Sequence, residues 1–174
     1  MDDQKVKTSL YEKKDLIGSL LSKWRMGRVL PEIKGVLVDL SCGDNMLVRA
    51  YGRGTGVDVK NYGADVVLKD FRTLPFESSS VDTVTIVASL NYFDDVHATL
   101  KEVHRILEDD GILILTMSNE YVMKVWHLFR EPWAKQSGFS LKEMKTFLEL
   151  AGFVIKKRRF FMFGVNSVYV CTKK

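Results

Sequence analysis

Two carboxylates and one glycine are spaced along this chain in a way that suits the binding of a nucleoside. The apolar run 35–40 predicts a buried parallel strand, and residues 41–45 (Ser-Cys-Gly-Asp-Asn) after it combine small and turn-forming residues. Asp58 ends the next predicted strand, 19 positions after Asp39. In dinucleotide-binding folds, an acid about 20 residues beyond such a turn binds the ribose hydroxyls. We therefore expect this turn and Asp58 to hold an adenosine.

The turn contains a single glycine, Gly43, and this argues against a dinucleotide as the ligand. A pyrophosphate needs several backbone amides from a glycine-rich turn at a helix N-terminus. Asp39 and Asp44 would instead repel a diphosphate. A cationic ligand suits these two carboxylates better, and a nucleotide-binding dehydrogenase is a poor alternative.

The turn resembles the first motif of the class I S-adenosylmethionine-dependent methyltransferases, which has an acid, an apolar residue and then three glycines at alternate positions. Asp39 matches the acid, and Ser41, Gly43 and Asn45 fall on the three glycine positions. Serine is small, and asparagine tolerates a left-handed φ better than most residues.

Later segments are similar to the same family, in the same order. Residues 70–76 and 80–89 resemble the acid after the third strand, the Leu-Pro-Phe turn and the fourth strand, while 100–107 and 109–115 resemble the next helix, turn and strand. Residues 151–153 (Ala-Gly-Phe) before a terminal strand pair complete the match. The resemblance covers nearly the whole chain. It implies an α/β fold: a doubly wound, mostly parallel seven-stranded sheet whose last strand inserts antiparallel in a C-terminal hairpin.

The resemblance also implies S-adenosylmethionine as the cofactor and assigns a role to single residues. Asp58 would accept both ribose hydroxyls in charge-assisted bonds. Asp70 would accept the adenine amino group, with the Phe71 backbone amide on a ring nitrogen. Asp39 and the Ser89 carbonyl would receive the methionine ammonium. The full set of predicted cofactor-binding residues is Asp39, Ser41, Gly43, Asp58, Val59, Asp70, Phe71 and Ser89.

No strong general base is evident, and methyl transfer does not require one. An in-line displacement on a methyl carbon activated by a sulfonium can gain most of its rate from proximity and orientation. Residues 91–93 (Asn-Tyr-Phe) lack the Asn-Pro-Pro-Tyr type motif of family members that methylate amino groups of DNA bases or protein glutamine. The family's acceptor pocket makes Tyr92, Tyr11 and His127 candidate catalytic residues, although packing explains each of them as well.

The elements that must position these residues follow from periodicity. An amphipathic helix is predicted over 9–26, and residues 1–34 are interpreted as an N-terminal helical lid on a single domain, 1–174. A capping box at Ser140 predicts a helix through Leu150. The aromatic-rich segment 119–138 is either a lid over the acceptor or a helix packed at the sheet edge. The other predicted elements are strands near 36–40, 55–59, 65–69, 82–88 and 111–117, helices near 44–51 and 96–108, and β-rich runs over 153–163 and 167–172.

Composition limits the function classes. The 174 residues are 46% hydrophobic, enough for one core. No apolar stretch reaches the roughly 18 residues that span a bilayer, and no secretory signal is evident, so we expect a cytoplasmic protein without a membrane partner. The two cysteines lack metal-ligand spacing, and no metal site is predicted.

The net charge of +4 is unevenly distributed, because residues 155–174 carry six basic residues and no acid. A basic patch can bind nucleic acid, but a solvated strand surface explains this cluster better. We predict an S-adenosylmethionine-dependent methyltransferase that acts on a small molecule. Two alternatives stay open: an RNA methyltransferase of the same fold, and a non-catalytic module that binds S-adenosylmethionine or a partner.

Overall fold

The computed structural model describes residues 16–62, 65–118 and 140–174. Within these ranges the chain forms four α-helices and seven strands, together with two short 3₁₀ turns at 30–32 and 90–92. The helices are α1 (Leu16–Val29), α2 (Met46–Tyr51), α3 (Val96–Ile106) and α4 (Leu141–Leu150). The strands are β1 (Leu37–Leu40), β2 (Thr55–Asp58), β3 (Val67–Leu68), β4 (Val81–Val87), β5 (Leu107–Ser118), β6 (Phe153–Phe161) and β7 (Asn166–Lys173).

The described strands form one sheet in the order β3-β2-β1-β4-β5-β7-β6. Strands β1 to β5 are parallel, and β7 inserts antiparallel between β5 and β6. Leu40 lies opposite Val57 of β2 and Ile86 of β4, so the carboxyl ends of these strands meet at one edge of the sheet, here called the carboxyl edge. Ser118 pairs with Asn166, which brings the β6–β7 turn to the same edge. The predicted fold is confirmed.

Helices cover both faces of the sheet. On one face Leu100 of α3 and Met144 of α4, both 0% exposed, belong to the larger apolar core. On the other face Val29 of α1 and Leu47 of α2 share a second core with Ile114 of β5. This arrangement is the doubly wound architecture expected from strands that alternate with crossover helices.

Local signals define the helix ends. The Asp95 side chain accepts from the Ala98 amide at the start of α3. Ser140 and Glu143 form the predicted capping box at α4, and Gly152 follows that helix with a φ of +85°. No helix among the described residues has the length and apolar composition needed to cross a bilayer.

Some boundaries differ from the predictions. Strand β3 has two residues where 65–69 was predicted, and α1 continues to Val29 beyond the predicted end at 26. Strand β5 begins at Leu107 rather than 111, because Leu107 is buried and pairs with Val81. The polar residues 108–110 mask this extension in the sequence. The hairpin turn lies at 162–165, slightly before the predicted position.

Candidate functional site

The loop after β1 has left-handed backbone at alternate positions. The φ angles are +58° at Ser41, +57° at Gly43 and +61° at Asn45, so the three positions that the family fills with glycine share one conformation here. Only glycine adopts this region without a steric cost, and asparagine is the next most tolerant residue. The chain therefore builds a glycine-type loop with a single glycine.

Contacts around Asn45 hold this loop. The Asn45 side-chain amide donates to the Asp65 carbonyl over 2.6 Å, and its backbone amide donates to the Cys42 carbonyl over 3.0 Å. A Cβ atom at Gly56 would clash with the Asn45 amide and the Cys42 sulfur, so the loop packs directly on the backbone of β2. Ser41 and Cys42 both donate to the Val57 carbonyl, at 2.8 and 3.3 Å.

Asp58, at the end of β2, is 3% exposed, and its carboxylate accepts hydrogen bonds from two backbone amides. Its Oδ2 accepts from Gly43 over 2.9 Å and its Oδ1 from Lys60 over 3.1 Å. A carboxylate offers about four lone-pair sites, so the described residues leave one site open on each oxygen. The carboxylate is thus fixed by the backbone and can still accept from two hydroxyl groups.

Asp39, on β1, is the most perturbed carboxyl group of the site. It is 4% exposed, and its Oδ1 accepts from the buried hydroxyl of Thr85 over 2.5 Å. Burial raises the pKa of Asp39 to about 7, the Thr85 bond opposes this rise, and the charge of Asp58 adds to it. A cation brought near Asp39 would favour the ionised form.

The thiol of Cys42 lies in the field of the same carboxylates. Burial, together with the charges of Asp39 and Asp58, raises the pKa of Cys42 to about 12. The thiol stays protonated at neutral pH and is a poor nucleophile.

The chain turns sharply where β4 ends. Ala88 has a φ of +57°, and its amide donates to the Thr116 hydroxyl over 2.9 Å. Ser89 follows and is 7% exposed; its hydroxyl is buried and has no hydrogen-bond partner among the described residues. The Ser89 carbonyl, predicted to receive the cofactor ammonium, accepts from the Tyr92 amide over 2.9 Å and retains its second lone pair.

A cleft of about 390 Å³ opens beside β2 and β3. Val59, Leu68 and Tyr92 line it and expose 58%, 51% and 63% of their surface, which leaves apolar walls for a planar group. Phe71 lines the cleft as well but is 7% exposed, with its ring 4.7 Å from that of Phe93. We call this cleft the Val59–Tyr92 cleft. Its exposed apolar walls suit an aromatic base.

Asp70 also lines this cleft, but its carboxylate is already hydrogen-bonded to Arg72. The Arg72 guanidinium donates to both oxygens of Asp70, with the shortest contact at 2.5 Å. These bonds lower the pKa of Asp70 to about 2. A ligand amino group would have to share this exposed carboxylate with Arg72.

The loop that follows Asp70 is fastened to α3 by Glu102 and Arg105, here called the Glu102–Arg105 clamp. Arg105 donates to the Phe76 carbonyl over 2.9 Å and to the Ser78 hydroxyl over 3.2 Å, while Glu102 accepts from the Leu74 amide over 2.8 Å. The two clamp residues pair at 2.7 Å. The clamp fixes one wall of the cleft without lining it.

The structure brings most of the predicted cofactor residues to the carboxyl edge. Asp39, the loop 41–45 and Asp58 are in direct or close contact, while Val59, Asp70 and Phe71 line the adjoining cleft. Ser89 follows β4 at the same edge. Tyr11, His127 and segment 119–138 lie outside the described residues. Sequence reasoning missed Thr85, Thr116 and the clamp, since their partners are distant in the chain.

The residues present fit S-adenosylmethionine. The buried Asp58 has lone pairs that no described residue occupies, and Asp39 offers a carboxylate for an ammonium. The Ser89 hydroxyl is a buried polar atom that lacks a partner in the described ranges 16–62, 65–118 and 140–174. Buried polar groups are nearly always hydrogen-bonded, so this hydroxyl is suited to a ligand atom or a water molecule.

Comparison with known proteins identifies the family. Residues 25–115, more than half of the chain, match the family model described as a methyltransferase domain. The chain belongs to this methyltransferase family. The predicted class I S-adenosylmethionine-dependent family and its cofactor are therefore confirmed, whereas the individual site residues stay predictions.

Curated relatives and a solved structure agree with this family. A demethylmenaquinone methyltransferase of Staphylococcus aureus is 27% identical over an alignment of 164 positions; the match covers 80% of this chain and 66% of the relative. An uncharacterised protein of Methanocaldococcus jannaschii is 31% identical over 98 residues, 51% of this chain and 39% of that protein. The chain thus spans less than two thirds of either relative. A Thermotoga maritima S-adenosylmethionine-dependent methyltransferase, described as a possible histamine N-methyltransferase, superimposes with a TM-score of 0.79 at 20% identity. The superposition covers 94% of this chain and 95% of that chain.

Proposed function

We propose that this chain binds S-adenosylmethionine at the carboxyl edge and transfers its methyl group to a small-molecule acceptor. The observation that carries the proposal is the hydrogen bond from the Gly43 amide to the Asp58 carboxylate, beside the buried Asp39. Open α/β sheets bind ligands outside the carboxyl ends of their strands, and these three residues converge there.

The residues of the site have separate tasks in this proposal. When bound, the cofactor supplies a methyl carbon activated by its sulfonium. Asp58 holds the ribose hydroxyls, Asp39 faces the ammonium, and the Val59–Tyr92 cleft receives the adenine ring. These contacts fix the orientation of the cofactor, and orientation is the main contribution that an in-line displacement requires from the protein. Tyr92, exposed beside the cleft, is the candidate acceptor-site residue within the described ranges.

The names of the similar proteins suggest two acceptor classes to test. The S. aureus relative is named for demethylmenaquinone, and the T. maritima neighbour for histamine. A quinol with an unmethylated ring position and an imidazole-bearing amine are therefore the first acceptors to assay. Formation of the demethylated cofactor product with either one would support a small-molecule substrate, and its absence with a wide panel would favour the non-catalytic module.

RNA is the second candidate substrate, because Arg158 lies over the exposed Phe160 ring at 4.2 Å on the edge strand β6. Two other cations of the cluster are already paired, since Lys157 and Arg159 contact Glu32 at 2.7 and 3.3 Å. This pairing supports the small-molecule proposal. Four phosphate contacts would give a slope of about −3 for log affinity against log salt. Micromolar RNA binding with that slope, lost on charge reversal at Arg158 and Arg159, would favour RNA instead.

Calorimetry tests the cofactor site. We expect binding of S-adenosylmethionine and S-adenosylhomocysteine but not of NAD. Asp58→Ala loses two charge-assisted bonds of about 1.5–3 kcal/mol each before compensation by water, so the affinity should fall at least about tenfold. Asp109→Ala, which removes a fully exposed acid on β5, is the matched control and should leave affinity unchanged. Comparable NAD binding, or an unchanged affinity in folded Asp58→Ala, would show that the ribose site is misplaced.

A further inference from the structure

The exposed side of α1 carries an apolar stripe. Leu20 and Trp24 lie one helical turn apart and expose 63% and 45% of their surface. Residues spaced by four lie on one side of a helix, so the two side chains form a continuous apolar strip. Neither contributes to the two cores described above.

The turn between β6 and β7 extends this strip. Phe163 is 100% exposed, and its ring meets that of Trp24 edge to face with 6.4 Å between centroids. We call the surface formed by Leu20, Trp24 and Phe163 the α1 patch. An isolated exposed apolar residue needs no explanation, whereas a patch built from two elements is a candidate for an interaction surface.

The backbone that presents Phe163 is strained. Met162, Phe163 and Gly164 have φ angles of +53°, +54° and +83°, three left-handed residues in succession. The turn is closed by a hydrogen bond from the Val165 amide to the Met162 carbonyl over 3.0 Å. Left-handed backbone is unfavourable for a residue with a bulky side chain. Phe163 belongs to neither of the two cores, so burial of its ring does not offset this cost. The strain is consistent with a side chain held outward for contact.

The charged residues in the two elements that form the α1 patch, α1 and the turn 162–165, are all basic. Helix α1 contains Lys23, Arg25 and Arg28 and no acidic residue. Lys23 and Arg28 are exposed and lie on either side of the stripe, and neither forms an ion pair with a residue in the described part of the chain. The exposed side of α1 thus combines apolar side chains with positive charge, and an anionic bilayer surface is complementary to both.

We propose that the α1 patch docks this protein onto an anionic membrane surface, with Phe163 and Trp24 entering the headgroup region and Lys23 and Arg28 contacting lipid phosphates. Phe163 belongs to the turn at the carboxyl edge, so part of the α1 patch lies at the same edge of the sheet as the candidate site. Lying on a membrane differs from crossing one, and it revises the sequence expectation of no membrane partner. The proposal goes beyond methyl transfer and does not depend on it.

Co-sedimentation with vesicles tests the proposal without any assay of activity. The 174-residue chain should bind phosphatidylcholine vesicles that contain phosphatidylglycerol and should bind vesicles of phosphatidylcholine alone weakly. Binding to the anionic vesicles should decrease as the salt concentration increases. Phe163→Gly removes the aromatic ring and also the left-handed strain, so the fold is retained. It should lower the partition coefficient at least about tenfold. Lys23→Gln and Arg28→Gln should each lower it about fivefold on anionic vesicles only.

Leu150→Ser is the matched control, because Leu150 is as exposed as Leu20 but lies on α4. Its binding should equal that of the parent. Absence of binding to anionic vesicles, or an equal loss in Leu150→Ser and Phe163→Gly, would overturn the proposal. So would a dimer in solution that Phe163→Gly converts to a monomer, since the patch would then belong to a second copy of the chain.

Discussion

The backbone amide of Gly43 donates to Oδ2 of Asp58 over 2.9 Å, so the loop after β1 and the acid that ends β2 form one unit. The amide can reach the carboxylate because the loop reverses direction through alternate left-handed residues. The loop conformation therefore determines which lone pairs of Asp58 remain for a ligand. Changes to the loop backbone and to the carboxylate are expected to act on the same binding step.

Ser41→Gly should stabilise the protein. Left-handed backbone costs a residue with a side chain about 1–2 kcal/mol, and glycine removes that cost at the φ of +58° found here. Glycine also increases the conformational entropy of the unfolded chain, which lowers the free energy of unfolding by about 0.4–1 kcal/mol. We expect a net gain of about 0.5–1 kcal/mol in the free energy of unfolding, measured by urea titration.

Ser79→Gly is the control for this change. Ser79 has a φ of +51° but lies outside the loop, and its backbone amide donates to the Arg105 carbonyl over 3.0 Å. The two variants should gain similar stability. If Ser79→Gly stabilises and Ser41→Gly destabilises, then the Ser41 hydroxyl contributes an interaction that outweighs the strain of its backbone.

Much of the fold could be predicted because its signals are local. Apolar runs identified the parallel strands, and Ser140 and Glu143 marked the start of α4. The spacing of Asp39 and Asp58 pointed to two carboxyl groups that the fold does bring to the same edge of the sheet. Each of these signals lies within a few residues or follows from the regular alternation of strands and helices. The short β3 gave no such signal, since two paired residues cannot display a period.

The parts that escaped prediction depend on contacts between distant positions. Thr85 meets Asp39 across 46 positions, and Arg105 meets Phe76 across 29. The left-handed Ala88 is unpredictable from its type, because alanine has no preference for that region and the sheet imposes it through Thr116. Tertiary packing, rather than sequence pattern, determines these features.

Arg105→Lys should weaken cofactor binding even though Arg105 does not line the cleft. Lysine keeps the charge but loses the planar fork that reaches Phe76 and Ser78 together. The loop that carries Asp70 and Phe71 would lose part of its attachment to α3. We expect about 1 kcal/mol less stability, since the ion pair is partly exposed, and up to about fivefold lower affinity for S-adenosylhomocysteine.

The matched control is Lys34→Gln. This change removes the ion pair between Lys34 and Asp110, whose N–O distance is 2.8 Å, and it lies outside the loop that carries Asp70 and Phe71. This variant should lose little stability and should bind S-adenosylhomocysteine with the same affinity as the parent protein. Faster proteolysis within residues 70–78 of Arg105→Lys would locate the effect in the loop. Equal affinities for all three proteins would mean that the core residues Phe71 and Leu74 hold the loop without the clamp.

Asp39 should make both stability and cofactor binding depend on pH. Burial raises its pKa from 3.8 to about 7. In the unfolded chain the carboxyl group ionises near pH 4, so between about pH 4 and 7 the folded state binds more protons than the unfolded state. The contribution of Asp39 to stability is therefore largest below about pH 4 and is lost as the pH rises to about 7.

Cofactor binding should show the opposite trend, because an ammonium beside Asp39 favours its ionised form. Below about pH 7 binding must release the proton of Asp39, so affinity for S-adenosylhomocysteine should rise with pH, by at most about tenfold per unit, and level off above 7. Asp70, whose pKa is about 2, stays ionised throughout and adds no slope. Calorimetry in buffers of different ionisation enthalpy would count the protons released. Asp39→Asn should bind more weakly with a flat profile between pH 5 and 7, and a slope that persists in this variant would assign the proton to another group.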